Sequence, residues 1–153
     1  MSEVVKPYNQ GSKKQEVEAM FDNIAHKYDF LNHFFSLGID ILWRKRAIRM
    51  IKKYNPKSIL DVATGTGDFA LLTAKHYKEV DAITGIDISE GMLEVGRKKI
   101  RERELQDKIV FKKADSENLP FQDQAFDAVT VAFGVRNFEN LELGLSEMHR
   151  VTR

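Results

Sequence analysis

Three carboxylates stand at or near the ends of three short apolar runs. Asp61 lies in Ser58-Ile59-Leu60-Asp61-Val62, Asp87 closes Ile83-Thr84-Gly85-Ile86-Asp87, and Asp115 follows Ile109 to Lys113. After the first run comes Gly65-Thr66-Gly67-Asp68-Phe69-Ala70, a glycine-rich turn that leads into an apolar, helix-like segment. The backbone N–H groups of such a turn, together with a helix N-terminus, can hold a polar ligand. Asp87 lies 22 residues after Gly65, where a doubly wound nucleotide-binding fold presents an acid to a ribose. Its two oxygens match a vicinal diol. Asp115 can accept from an exocyclic adenine amine, and the N–H of Ser116 can donate to a ring nitrogen.

The glycine turn fits G-x-G-x-x-A, so a nicotinamide dinucleotide competes as the ligand. Asp61 disfavours it, because a carboxylate before the glycines meets a pyrophosphate with like charge. The same carboxylate suits the ammonium of an amino-acid-bearing ligand, and Asp68 adds negative charge at the helix start. Each feature also has an ordinary structural explanation. The glycines can make a tight turn without a ligand, Asp87 can cap the helix after Ser89, and Asp115 can be a solvated loop acid. Taken together they fit the rule that ligands bind beyond the carboxyl ends of parallel strands.

The elements that would position these residues are legible in the pattern. Ser12-Lys13-Lys14-Gln15 has capping-box spacing, and Val17, Phe21, Ile24, Tyr28 and Leu31 recur at helical intervals. The apolar cluster from Phe34 to Leu42, broken by Gly38, reads as two helical pieces or a mobile flap. A helix from about Asp40 to Tyr54 would bury Trp43, Ala47, Met50, Ile51 and Tyr54 and expose Lys45, Arg46, Arg49, Lys52 and Lys53. Strands are predicted over 58–62, 80–87, 109–113 and 126–132. They alternate with helices over 68–77 and 90–104 and a last helix after Asn140 that bears Leu141, Leu145 and Met148. This alternation predicts a doubly wound α/β fold with a parallel sheet covered on both faces. Residues 1–55 form an N-terminal helical flap and 56–153 an α/β domain.

The 153 residues suffice for one domain with a sizeable core. A net charge of +1 gives no global attraction to nucleic acid. With no cysteine, disulfides, thiolate metal sites and a cysteine nucleophile are excluded, and a reducing cytoplasm is compatible. No histidine pair stands at i,i+4 spacing with a carboxylate partner, so no metal is expected. His76 and His149 read as structural residues. The basic face of the helix over Asp40 to Tyr54 is ordinarily just solvated, but it also suits an anionic lipid surface.

Asp61-Val62-Ala63-Thr64-Gly65-Thr66-Gly67-Asp68 resembles the first motif of class I S-adenosylmethionine-dependent methyltransferases. Asp87 matches their ribose acid, and Ala114 to Phe121 their adenine loop. Within that superfamily the chain is most similar to the ubiquinone/menaquinone biosynthesis C-methyltransferases, over nearly its whole length. The likeness extends through Met20-Phe21-Asp22-Asn23-Ile24-Ala25-His26-Lys27-Tyr28-Asp29, Phe133-Gly134-Val135-Arg136-Asn137 and Met148-His149-Arg150-Val151.

The resemblance implies S-adenosyl-L-methionine as cofactor, a small-molecule quinol as substrate and C-methylation as the reaction. It places cofactor contacts at Thr66, Asp87, Asp115, Ser116 and the position of Ala132, where many relatives carry a hydroxyl. Asp61, Gly65 and Gly67 join these from the pattern itself. Arg136 could stabilise a developing phenolate, Asn137 could orient the ring, and Tyr28, Asp29 or His33 could relay the proton. Relatives continue past Val151 into a Lys-Pro-Gly-Gly turn and further strands. The resemblance therefore implies a chain truncated at its C-terminus, with an open sheet edge that a second copy could pair with. Competing readings are another small-molecule or RNA methyltransferase of this fold, a nicotinamide-dependent oxidoreductase, or a non-catalytic cofactor-binding module.

Overall fold

The computed structural model describes residues 11–36 and 38–153, with the backbone alone described at His33, Phe34 and Phe35. The capping box at Ser12 and Gln15 forms as its spacing requires: Gln15 N–H donates to Ser12 Oγ, and Ser12 N–H donates to Gln15 Oε1. From it helix α1 runs unbroken over Lys13–Ser36. The predicted break into further helical pieces is replaced by one turn at Gly38, whose φ of 81° leads directly into α2 (Ile39–Lys52). Leu37 and the first ten residues lie outside the described residues.

The α/β part then follows in order: β1 (Ser58–Val62), α3 (Asp68–His76), β2 (Ala82–Asp87), α4 (Glu90–Glu102), β3 (Ile109–Lys113), β4 (Ala128–Val131), a 3₁₀ turn (Phe133–Asn137) and α5 (Leu141–Val151). The strands form one parallel sheet in the order β3-β2-β1-β4. Leu60 pairs with Thr84 on one side and Val129 on the other, and Thr84 pairs in turn with Val110. Side chains alternate between the faces. Ile59, Ile83 and Phe111 join the core under α2, α3 and α4, while Leu60, Val62 and Ile86 join the core under α5. Ser89 and Asn140 cap α4 and α5, accepting from the N–H groups of Met92 and Leu143.

Several expected boundaries and faces move. The fourth strand is shorter than 126–132, because Phe126 makes only an isolated bridge to Thr152 and Ala132 already turns toward the 3₁₀ segment. In α2 the apolar pattern holds for Trp43, Ala47 and Ile51, which pack against the core, but Met50 and Tyr54 are exposed, whereas Asp40, Arg44 and Ile48 are buried. The reason is electrostatic, since Arg44 reaches inward to Asp68 at 3.0 Å. In α5, Leu141 and Leu145 are exposed, and the helix packs through Gly144, Met148 and Val151.

Candidate active site

The carboxyl ends of the strands open into a cleft of about 370 Å³. Asp61, Asp87 and Asp115 all line it, with Gly65, Thr66, Ser116, Ala132, Arg136, Asn137 and Tyr28. Val17, Met20, Phe21 and Ile24 of α1 form an apolar wall opposite.

Asp61 is 3% exposed. Its oxygens accept from Thr64 Oγ1 at 2.7 Å and Thr130 Oγ1 at 2.8 Å. Burial pushes the carboxyl from 3.8 up to about 6, against the pull of both hydroxyls and of Arg44. It is therefore mostly an anion at neutral pH, buried but with one face turned to the cleft. Thr130 escaped sequence reasoning. The signal is the strand register, which sets Thr130 directly beside Asp61.

Asp87 is fixed by the backbone, its Oδ2 accepting from Gly65 N–H and its Oδ1 from Ser89 N–H, both at 2.9 Å. Burial raises this carboxyl too, against those same N–H groups. The capping contact and the cleft position thus coexist. Each oxygen keeps a lone pair, so a diol can still dock.

Gly65 and Gly67 divide the work of the turn. Gly65 has φ +59° with no atom within 4 Å of a would-be Cβ, which lets a ligand approach the backbone. Gly67 faces the other way and does not line the cleft: a Cβ there would lie 2.3 Å from Phe111 Cζ. At Gly67 the bare backbone serves close packing at the start of α3. Ala63, beside the turn, sits at φ +54°, a conformation that concentrates at functional sites.

Beyond the glycine turn lies a polar network absent from the sequence reading. Asp68 bonds Arg44 at 3.0 Å and Lys99 at 2.8 Å. Burial would raise this carboxyl, but the two cations outweigh it and hold it below its usual value. Lys99 also pairs with Asp29, which accepts from Thr66 Oγ1. Asp29 is thereby a structural partner of the glycine turn. Farther along α1, Asp22 accepts from Ser89 Oγ and from Gly91 N–H at 2.9 Å. The hydrogen-bonded partners in this network are 24 to 69 residues apart, so no local pattern announces them.

Arg136 is exposed in the 3₁₀ turn, its guanidinium 5.7 Å from the Phe133 ring centre. Tyr28 has its hydroxyl raised by burial, partly offset by Arg44 and Arg136. It therefore stays protonated near neutrality and can donate a hydrogen bond. The side chain of His33 lies outside what is described. His26, His76 and His149 are exposed. Among the described residues no cluster of His, Asp or Glu has the form of a metal site, and no helix is long and apolar enough to cross a membrane.

A parallel sheet in this order, with three acids and a glycine turn around a cleft at its carboxyl edge, defines a class I methyltransferase fold. A solved structure of the same fold is that of the [4+2]-cyclase SpnF, with a TM-score of 0.72 and 23% identity over 94% of this chain and 57% of that one. The chain itself belongs to the ubiE/COQ5 methyltransferase family, whose family model matches residues 9–153. It is 55% identical to the demethylmenaquinone methyltransferase of Bacteroides fragilis over 99% of this chain. With the Porphyromonas gingivalis protein of that name it shares 51% over 97% of the chain. It spans 62% and 61% of the lengths of those two curated relatives.

Proposed function

We propose that the chain is the cofactor-binding portion of an enzyme that methylates a ring carbon of a demethylated quinol, with S-adenosyl-L-methionine as donor. The observation that carries this reading is the common cleft of Asp61, Asp87 and Asp115, with the buried, anionic Asp61 beside the glycine turn. Asp61 would hold the ammonium of the amino-acid end, Asp87 the ribose diol, and Asp115 with Ser116 the adenine edge. A diphosphate is disfavoured, because the buried carboxylate of Asp61 lines the cleft beside the glycine turn.

When bound, the cofactor supplies an electrophilic methyl group on a sulfonium. The chain's own task is to hold ring and methyl in line and to favour the phenolate. Arg136 at the cleft rim would stabilise the oxyanion, and Asn137 would orient the ring. Tyr28, kept protonated by burial, would position the ring oxygen through a donated hydrogen bond. His33 would be a candidate for taking the proton.

Calorimetric titration with S-adenosylhomocysteine and with NADH tests the cofactor: only the first should bind. Transfer of labelled methyl to a demethylated menaquinol then tests the reaction, and Arg136→Ala should lower turnover roughly a hundredfold while leaving cofactor affinity unchanged. An unaltered rate would remove Arg136 from the chemistry.

The outer face of α2 supports a site of action at a lipid surface. Ile39, Leu42 and Met50 are exposed there beside Arg46, Arg49 and Lys53. Cations flanking apolar side chains suit an anionic bilayer, where a quinol with an isoprenoid tail would reside.

A further inference from the structure

Lys14 occupies the oxygen that an adenine amine requires. Its Nζ lies 2.6 Å from Asp115 Oδ2 and 3.4 Å from Glu117 Oε2. The other oxygen of Asp115, Oδ1, accepts from Glu117 N–H at 2.9 Å, so Oδ2 is the one free to meet a ligand. Lys14 lines the cleft beside Asp115, Ser116 and Glu117. Burial pushes its ammonium down, but the two carboxylates outweigh burial and hold it above its ordinary value.

Glu117 is held in place independently. Its Oε1 accepts from the backbone N–H groups of Glu139 at 2.8 Å and Asn140 at 3.1 Å. Oε2 is thus a fixed second acceptor within reach of the same ammonium. A lysine head carries three donors on a flexible stem, so moving between two neighbouring carboxylates needs only rotamer changes.

We propose that Lys14 is a positioning residue that switches between two acceptors. With no adenine bound it neutralises Asp115, and with one bound it rests on Glu117 and yields Asp115 Oδ2 to the 6-amino group of the ring. The inference rests on the reading of the cleft as an S-adenosyl site. Lys14 is 31% and Asp115 33% exposed at the side chain, so the pair opposes ligand entry only weakly. Lys14 therefore sets affinity and salt response without blocking the site.

The test is titration of the full chain with S-adenosylhomocysteine at low and high salt. That ligand has no net charge, so it brings little salt dependence of its own. Wild type should bind more tightly as salt weakens the Lys14–Asp115 pair. Lys14→Met should bind roughly two- to fivefold more tightly than wild type at low salt, with a flattened salt response. Glu117→Gln keeps an amide oxygen for the Glu139 and Asn140 N–H groups but removes the charged resting place. It should bind roughly two- to fivefold more weakly. Lys14→Arg, which grips a carboxylate with two donors, should also bind more weakly.

A purely structural lysine would make Lys14→Met and Glu117→Gln change affinity in the same direction and would leave the salt response unmoved. Either result overturns the switch. If wild type binds, Asp115→Asn weakens binding and Lys14→Met changes nothing, the switch fails alone. If wild type does not bind, the cofactor reading fails and the switch fails with it.

Discussion

Asp61 is where stability and ligand binding conflict. Its folded pKa of about 6 stands above the ordinary 3.8, so the folded state binds this proton more tightly than the unfolded chain. The resulting stability is fully present below about pH 4 and is lost as pH rises through 6. At neutral pH the buried charge costs about 3 kcal/mol. Asp61→Asn should therefore raise the melting temperature of the ligand-free protein by roughly 6–12 °C at neutral pH and give no gain near pH 4. The same variant should lose S-adenosylhomocysteine affinity by about tenfold or more. In wild type, an ammonium beside Asp61 favours its charged form. Affinity should then fall as pH drops through 6, and calorimetry there should show proton release that Asp61→Asn abolishes. The three strand-end acids and the glycine turn were legible because each is a local pattern. Thr130, Lys14 and Arg44 were not, because their meaning lies in partners brought close only by folding.

Each turn glycine and each tie of α1 acts at the level of elements. Gly65→Ala meets open space and carries only the positive-φ penalty of about 1–2 kcal/mol. Gly67→Ala adds a collision with Phe111 to a φ of +83° and should cost roughly 2–4 kcal/mol. Chemical denaturation of the two variants separates these cases. Asp22 caps the N-terminus of α4 from a different helix, and its loss should cost about 1 kcal/mol. Hydrogen exchange should show the loss as faster exchange along α1, with β1 and β2 amides unchanged. The strand and helix order followed from periodicity. The face of α2 followed only in part: Trp43, Ala47 and Ile51 pack inward, but an ion pair to Asp68 turned Arg44 inward and left Met50 outside. Hydrophobic spacing is blind to that kind of override.

For the whole molecule, the proposed lipid contact of α2 makes a direct prediction. Replacing Arg46 and Arg49 with Glu should reduce sedimentation with anionic vesicles by about tenfold or more, with no change for zwitterionic vesicles. High salt should mimic the substitution. Retention of the variant on anionic vesicles would place any lipid contact elsewhere. A different consequence follows from Phe111. Its ring touches Gly67 of the turn, Gly85 of β2 and Gly96 of α4, so three bare backbones shape one socket. Phe111→Ala would empty that socket, and none of the three glycines has a side chain to collapse into it. The hole should stay dry and admit a small aromatic guest. Benzene should then restore part of the roughly 3–5 kcal/mol lost, turning a packing defect into a receptor that nature did not build.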